Sequence, residues 1–242
     1  MRKITWQGYQ WLCKPIWGDT HPDDPNTWYD DNLPYVSDND GSMRLSLKYE
    51  PKGFVDKDGK QVVKNWGISL VRTMNEFKYG TFEWESDVPD AKWQFPALWL
   101  ASGYSWPPEI DVMEGYSGKK GNYRKNLIFT DIVPTCHWSK GCDTSNEHLH
   151  KTKRNVLCCY FNRKGHNKYS VEWTPEYVCV KYNDKVVKTF REKELLEHLN
   201  NPEIKMHAKM NTQIYGDWCM NDYNNAKDLE FKIYSFKYTP LC

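Results

Sequence analysis

From residue 43 onward the chain alternates in short runs. Residues 43–49 read M-R-L-S-L-K-Y, apolar and polar side chains changing place at each step, the period of a strand with one buried face. Residues 67–73 and 79–88 also read as strands, the second setting Phe82 and Trp84 against Glu83 and Glu85. Residues 96–101 and 110–113 are more continuously apolar, as strands covered on both faces are. Further strands are predicted at 127–133, 157–161, 169–173, 177–182, 185–189, 206–215 and 229–238. A D-K-D-G turn at 56–59 signals one hairpin, and Asn183-Asp184 another, without the preferred glycine. One short helix is predicted at 192–199, with Leu195, Leu196 and Leu199 on one face and Asn200-Asn201-Pro202 ending it. The first forty residues are broken by Pro15, Gly18, Pro22, Pro25 and Pro34 and predict turns rather than regular elements. Many short strands with one minor helix predict an all-β sandwich or barrel, a single domain over residues 1–242.

Composition narrows the partners. Lys and Arg number 33 against 32 Asp and Glu, a net charge of +1. So even a balance argues against a nucleic-acid or anionic-membrane partner, since both demand a basic excess. No apolar run approaches the roughly 18 residues of a membrane helix. The N-terminus Met1-Arg-Lys-Ile-Thr-Trp6 has no apolar stretch behind its basic start. Either a leader has been removed, which would place the protein outside the cytoplasm or in a periplasm, or the ordinary secretion route is not used. Eight cysteines form no C-x-x-C, so a zinc ribbon is not expected, although Cys136 and Cys142 flank a turn that allows a bridge. The outstanding figure is 12 Trp and 16 Tyr, 15% aromatic with Phe. A β-rich core, a protein interface or a sugar-binding cleft would each use such rings.

The segment Trp106-Pro-Pro-Glu109-Ile-Asp111-Val-Met-Glu114-Gly-Tyr116 carries the candidate chemistry. On a regular strand Glu109 and Asp111 share a face and Glu114 falls on the other. A β-bulge at Val112–Met113 adds one residue, restores the parity and lines all three carboxylates on one face. Two such glutamates leaning inward reach the separation of about 5–5.5 Å used in retaining glycoside hydrolysis. Like charges that close cannot all ionise, so one proton is shared and one glutamate stays protonated near neutral pH. An acidic strand also serves to deter edge aggregation or to bind Ca²⁺. The rings around it, Trp93, Phe95, Trp99 and Trp106, suit a sugar rather than a cation. His148-x-His150 puts two imidazoles on one face without an evident third ligand and reads as a solvated loop. Trp6, Trp11, Trp17 and Trp28 read as packing over the convex sheet, and Trp66, Trp84 and Trp173 as core.

These residues resemble glycoside hydrolase family 16, in the bulged branch that holds laminarinases, agarases, porphyranases and κ-carrageenases. The likeness rests on Glu109-x-Asp-x-x-Glu114 after Phe95-Pro-Ala-Leu-Trp99-Leu and Trp106-Pro-Pro. Phe77-Lys-Tyr-Gly-Thr-Phe-Glu83, Thr135-Cys-His-Trp138, Tyr169-Ser-Val-Glu-Trp173 and Asp217-Trp218 extend it along the chain. The resemblance implies a β-jelly roll of two antiparallel sheets with a cleft across the concave face. It also implies endo-hydrolysis of a β-linked polysaccharide with retention. It assigns Glu109 as nucleophile, Glu114 as general acid/base and Asp111 as the residue that orients the nucleophile. Trp99, Trp106 and Trp218 would line the cleft, with His137 and its neighbour Trp138 on the leaving-group side. The expected substrate is a β-1,3- or mixed β-1,3/1,4-glucan, with a red-algal galactan as the alternative and a non-catalytic sugar-binding jelly roll as a third reading. Many members hold a structural Ca²⁺ through an Asp of the last strand. Residues 229–238 contain none, so no metal or other cofactor is expected. A monomer is expected, with the polysaccharide as its partner.

Overall fold

The computed structural model describes residues 1–21, 24–56, 58–87, 94–115, 128–161, 165–214 and 230–241. Within them the chain forms two large sheets stacked face to face. The larger runs Lys3–Trp6, Tyr9–Leu12, Gln61–Thr73, Met206–Ile214, Gln94–Ser102, Glu109–Gly115, Ile132–Ser139, His148–Thr152 in order across it. Thr27–Tyr29 and Lys48–Val55 also pair with the long strand Gln61–Thr73. The smaller runs Lys185–Phe190, Val178–Tyr182, His166–Trp173, Gly80–Asp87, Phe231–Thr239, Met43–Leu45, Tyr35–Val36. Pairing is antiparallel throughout these sheets except for Thr27–Tyr29 beside Gln61–Thr73.

Alternation explains the core. Phe82, Trp84 and Ser86 of one strand, and Tyr169, Val171 and Trp173 of its neighbour, point inward and are buried. Leu98, Leu100, Ile110, Cys136, Ala208 and Met210 meet them from the larger sheet. Such interdigitated inner faces, half polar on the outside, are what two packed antiparallel sheets require. The helix forms at Lys193–Asn200 and lays Leu195 and Leu199 into the same core. Trp84 and Trp173 are core residues as expected, and Trp66 belongs to a second apolar cluster with Tyr29, Ile68, Leu70 and Ile214.

Several boundaries differ from the sequence reading. The turn-rich N-terminus contains a hairpin, Lys3–Trp6 with Tyr9–Leu12, closed by Gln7 and Gly8 at φ 51° and 78°. Its two strands are four residues each, too short to carry a period. Asn183 and Asp184 close the other hairpin at φ 47° and 64°, both tolerating the left-handed region that a tight two-residue turn demands. The run predicted at 127–133 divides into Phe129–Thr130, paired with Val156–Leu157, and the longer Ile132–Ser139. Cys136 and Cys142 are both free. Cys136 points into the core from its strand, whereas Cys142 lies past the strand's end, partly exposed.

Gly80 opens the central strand of the smaller sheet at φ 110°. A Cβ there would stand 2.5 Å from the Thr239 carbonyl oxygen and 2.7 Å from the Tyr238 ring. Gly80→Ala is expected to cost about 1–3 kcal/mol, seen as a lower urea midpoint at constant m-value.

Candidate active site

The strand Glu109–Gly115 carries a bulge. Against Gln94–Ser102, Asp111 faces Trp99 but Met113 faces Leu98, two steps on one strand for one on the other. Against Ile132–Ser139, Asp111 faces Thr135 and Glu114 faces Val133, three steps for two. Val112 and Met113 are consecutive, yet both are buried in the core at 0% and 1% exposure. Glu109, Asp111 and Glu114 consequently share the opposite, outer face. The bulge is tied to the other sheet: the buried Tyr182 hydroxyl donates to the Val112 carbonyl oxygen at 2.8 Å.

Cross-strand partners share a face, so the register draws the site as three rows across the larger sheet. One row is His207, Ala101, Glu109, His137, His150. The next is Arg72, Lys209, Trp99, Asp111, Thr135, Thr152. The third is Leu70, Asn211, Ala97, Glu114, Val133. Alanines stand beside both glutamates and leave space next to them. Between the second and third rows, the Thr135 hydroxyl donates to Glu114 Oε2 at 2.8 Å, and Trp99 Nε1 donates to Asn211 Oδ1 at 2.7 Å. Trp106, 52% exposed, donates from Nε1 to Glu109 Oε2 at 3.2 Å.

The carboxylates are crowded and poorly solvated. Burial pushes Glu109 well above the usual carboxylate range, and the neighbouring Asp111 adds to it, while His137 and Lys209 pull it back. Asp111 is also raised, by burial first and by Glu114 second. Protons are therefore shared within the group rather than owned by single residues. His137 Nε2 lies 3.1 Å from Asp111 Oδ2 and 3.8 Å from Glu109 Oε1. The first approach lacks hydrogen-bond alignment, and Asp111 Oδ2 has no hydrogen-bond partner among the described residues. On its other side, His137 Nδ1 is 2.8 Å from His148 Nε2, the rings stacked 5.0 Å apart. Burial lowers the His148 pKa, with His137 and His150 adding to the effect, which favours its neutral form.

Ligand atoms of Glu109, Asp111 and His137 lie within 4.8 Å of one another, close enough for a metal ion. The same oxygens are those a glycosyl nucleophile needs, so a cation there would block the group rather than assist it.

The structure brings together Glu109, Asp111, Glu114, Trp99, Trp106 and His137 as expected. Trp138 is a correction: it alternates with His137, points into the core at 7% exposure and does not line this face. Trp218 and Trp93 lie outside the described residues. His148 and His150 sit in a strand, not a loop, and His148 buttresses His137. Trp17 is not packing over the smaller sheet: its ring lies 5.2 Å from Lys209 Nζ, near Trp99. Lys209, Thr135 and Asn211 were missed. The one signal for Lys209 was a lysine inside the apolar run Met206–Ile214, flanked by Ala208 and Met210.

A family model described as glycosyl hydrolases family 16 matches residues 23–231. The chain belongs to that family, and the sandwich is its jelly roll. A stretch of 110 residues, 45% of the chain, is 32% identical to the endo-1,3-1,4-beta-glycanase EglC of Rhizobium meliloti (strain 1021). That match spans only about a fifth of the length of EglC, 20%. In fold it is similar to the laminarinase catalytic domain from Thermotoga maritima MSB8, with TM-score 0.65 and 17% identity over 96% of this chain and 92% of that one. Porphyranase B from Zobellia galactanivorans gives TM-score 0.67 and 13% identity over 98% and 87%.

Two expectations follow from the bulge. Tyr182→Phe leaves the buried Val112 carbonyl without its donor and should cost about 1–3 kcal/mol. Its loss of activity per folded molecule should exceed that of a core substitution three strands away across the smaller sheet, such as Ile233→Val. Deleting Met113 gives Glu-Ile-Asp-Val-Glu, which alternates regularly and keeps the three acids on one face. That variant should retain measurable activity, whereas deleting both Val112 and Met113 should abolish it. Near-UV dichroism from the tryptophans reports folding in each case.

Proposed function

We propose that the chain is an endo-acting β-glycanase that hydrolyses internal linkages of a polysaccharide with retention of configuration. The observation that carries this reading is the bulge that sets Glu109, Asp111 and Glu114 on one face beside an exposed tryptophan. Glu109 attacks the anomeric carbon while Glu114, held by Thr135, gives its proton to the departing glycosidic oxygen. Glu114 then takes a proton from water, which attacks the glycosyl–Glu109 ester and restores the original configuration. Asp111, between them, takes part in the shared proton and orients Glu109. Trp106 offers its exposed ring as a stacking platform while its N–H holds the nucleophile. His137 stands over the nucleophile and Asp111, braced from behind by His148.

The name of the Rhizobium relative supports a β-1,3- or mixed β-1,3/1,4-glucan as the backbone. A second reading, a red-algal galactan, draws on one feature: a cation buried on the acidic face, Lys209, which a neutral glucan leaves without a partner. Reducing-end release from laminarin, lichenan, barley glucan, agarose and porphyran discriminates the two.

Glu109→Ala should fold and be inactive, and azide should restore turnover with a glycosyl azide of inverted anomeric configuration. Azide rescue at Glu114→Ala instead should give the retained product, and finding these two outcomes exchanged would reverse the roles. The charge of Asp111 raises the pKa of Glu109, and Glu109 must be ionised to attack. Asp111→Asn removes that charge, so Glu109 ionises at lower pH. The acidic limb of kcat/KM should therefore move down in pH, whatever the fall in its maximum.

A further inference from the structure

Apart from the field it exerts on the acids, Lys209 has no task in the hydrolysis just described. It occupies the middle of the central strand Met206–Ile214, where Ala208 and Met210 on either side point into the core. Its own side chain lies in the row Arg72, Lys209, Trp99, Asp111, on the face of the acids. Only 2% of the residue is exposed. Its Nζ lies 4.4 Å from the ring centroid of Trp99 and 5.2 Å from that of Trp17. Trp17 is 41% exposed and sits in the irregular segment that follows the N-terminal hairpin, as an outer wall over the lysine.

The surroundings are those of a cation without its anion. An ammonium carries three N–H donors, and that of Lys209 makes no side-chain hydrogen bond and no ion pair within 4 Å among the described residues. Glu109 and Asp111 act on it only at longer range, and they share protons between themselves. Arg72, the next residue in the row, is a second cation and adds repulsion. Desolvation lowers the pKa of Lys209 to about 8, which leaves it charged at neutral pH. Two indole faces offset part of the cost of removing an ammonium from water. They offer no acceptor for its protons. Burying an unpaired charge is expensive, and a group kept in that state on the face of an active site is better explained by what it meets there than by the fold.

We propose that Lys209, between Trp17 and Trp99, is a subsite for an anionic substituent on the polysaccharide: a sulfate ester or a carboxylate carried by a sugar bound beside the nucleophile. The ammonium takes the charged group, with the exposed Trp17 beside it for the sugar and Arg72 reinforcing the positive field. This rests on reading the face as a glycanase site, but not on whether the backbone is a glucan or a galactan.

The test compares one β-glucan in its parent, carboxymethylated and sulfated forms, and a sulfated galactan with its desulfated form. The wild type should favour an acidic member of a pair over its neutral parent. Lys209→Met should lower the acidic-to-neutral ratio of kcat/KM by about tenfold or more, the worth of one hydrogen-bonded charge. Lys209→Arg should keep part of the preference. The carboxymethyl and sulfate arms separate the two kinds of anion. An unchanged ratio, with both substrates losing equally, overturns the proposal and makes Lys209 a counter-charge for the acids. Binding is read separately by retardation in native gels containing each polymer, in the Glu114→Gln background, where turnover is removed. Retardation by an acidic polymer that Lys209→Met abolishes supports the subsite. Equal retardation by acidic and neutral polymers, or none by any acidic one, overturns it. If the wild type releases no reducing ends from any polysaccharide, the glycanase reading fails, and the gels still decide the case of Lys209.

Discussion

The site depends on one extra residue. Without the bulge at Val112–Met113, the strand Glu109–Gly115 would put Glu114 into the sandwich core, where a carboxylate has neither water nor partner. With it, two consecutive apolar side chains share the core and every acid faces outward. The cost of the bulge is a backbone carbonyl turned away from its ladder, and the Tyr182 hydroxyl from the opposite sheet meets it. A residue buried in the far layer thus helps to set the position of a residue on the working face.

Sheet register then sorts the chemistry into rows. Each glutamate has an alanine on one side, so the ground beside it is open. The row of Asp111 is filled instead, with Trp99 and Thr135 at its flanks. Thr135 reaches across to Glu114, and Trp106 reaches back to Glu109 from the segment before the strand. Each glutamate therefore has a neutral hydrogen-bond donor. Burial and mutual repulsion raise both Glu109 and Asp111.

What the sequence showed and what it hid follow from the range of the interactions concerned. Three acids at positions 109, 111 and 114 in an apolar run can share a face only through a bulge, so both the bulge and the acids were legible from local parity. The alternating strands around Phe82 and Trp84 were legible for the same reason. Trp138 could have been placed by parity as well, because His137 and Trp138 cannot face the same way on a regular strand. Lys209, Trp17 and Asn211 are different. Their positions depend on which strand lies next to which, and no local pattern states that Met206–Ile214 runs beside Gln94–Ser102. The short N-terminal hairpin was hidden by its length, and His148 by the polar residues around it.

The arrangement separates two tasks onto different strands. The acids lie on Glu109–Gly115, while Lys209 and Asn211 lie on Met206–Ile214, with the Trp99 strand between them. A change at position 209 alters the charge of the face without touching the backbone that aims the three acids. A change in the bulge alters the chemistry for every ligand at once. Variation among descendants of such a scaffold can accordingly alter one strand of the face while the acids are inherited intact on another.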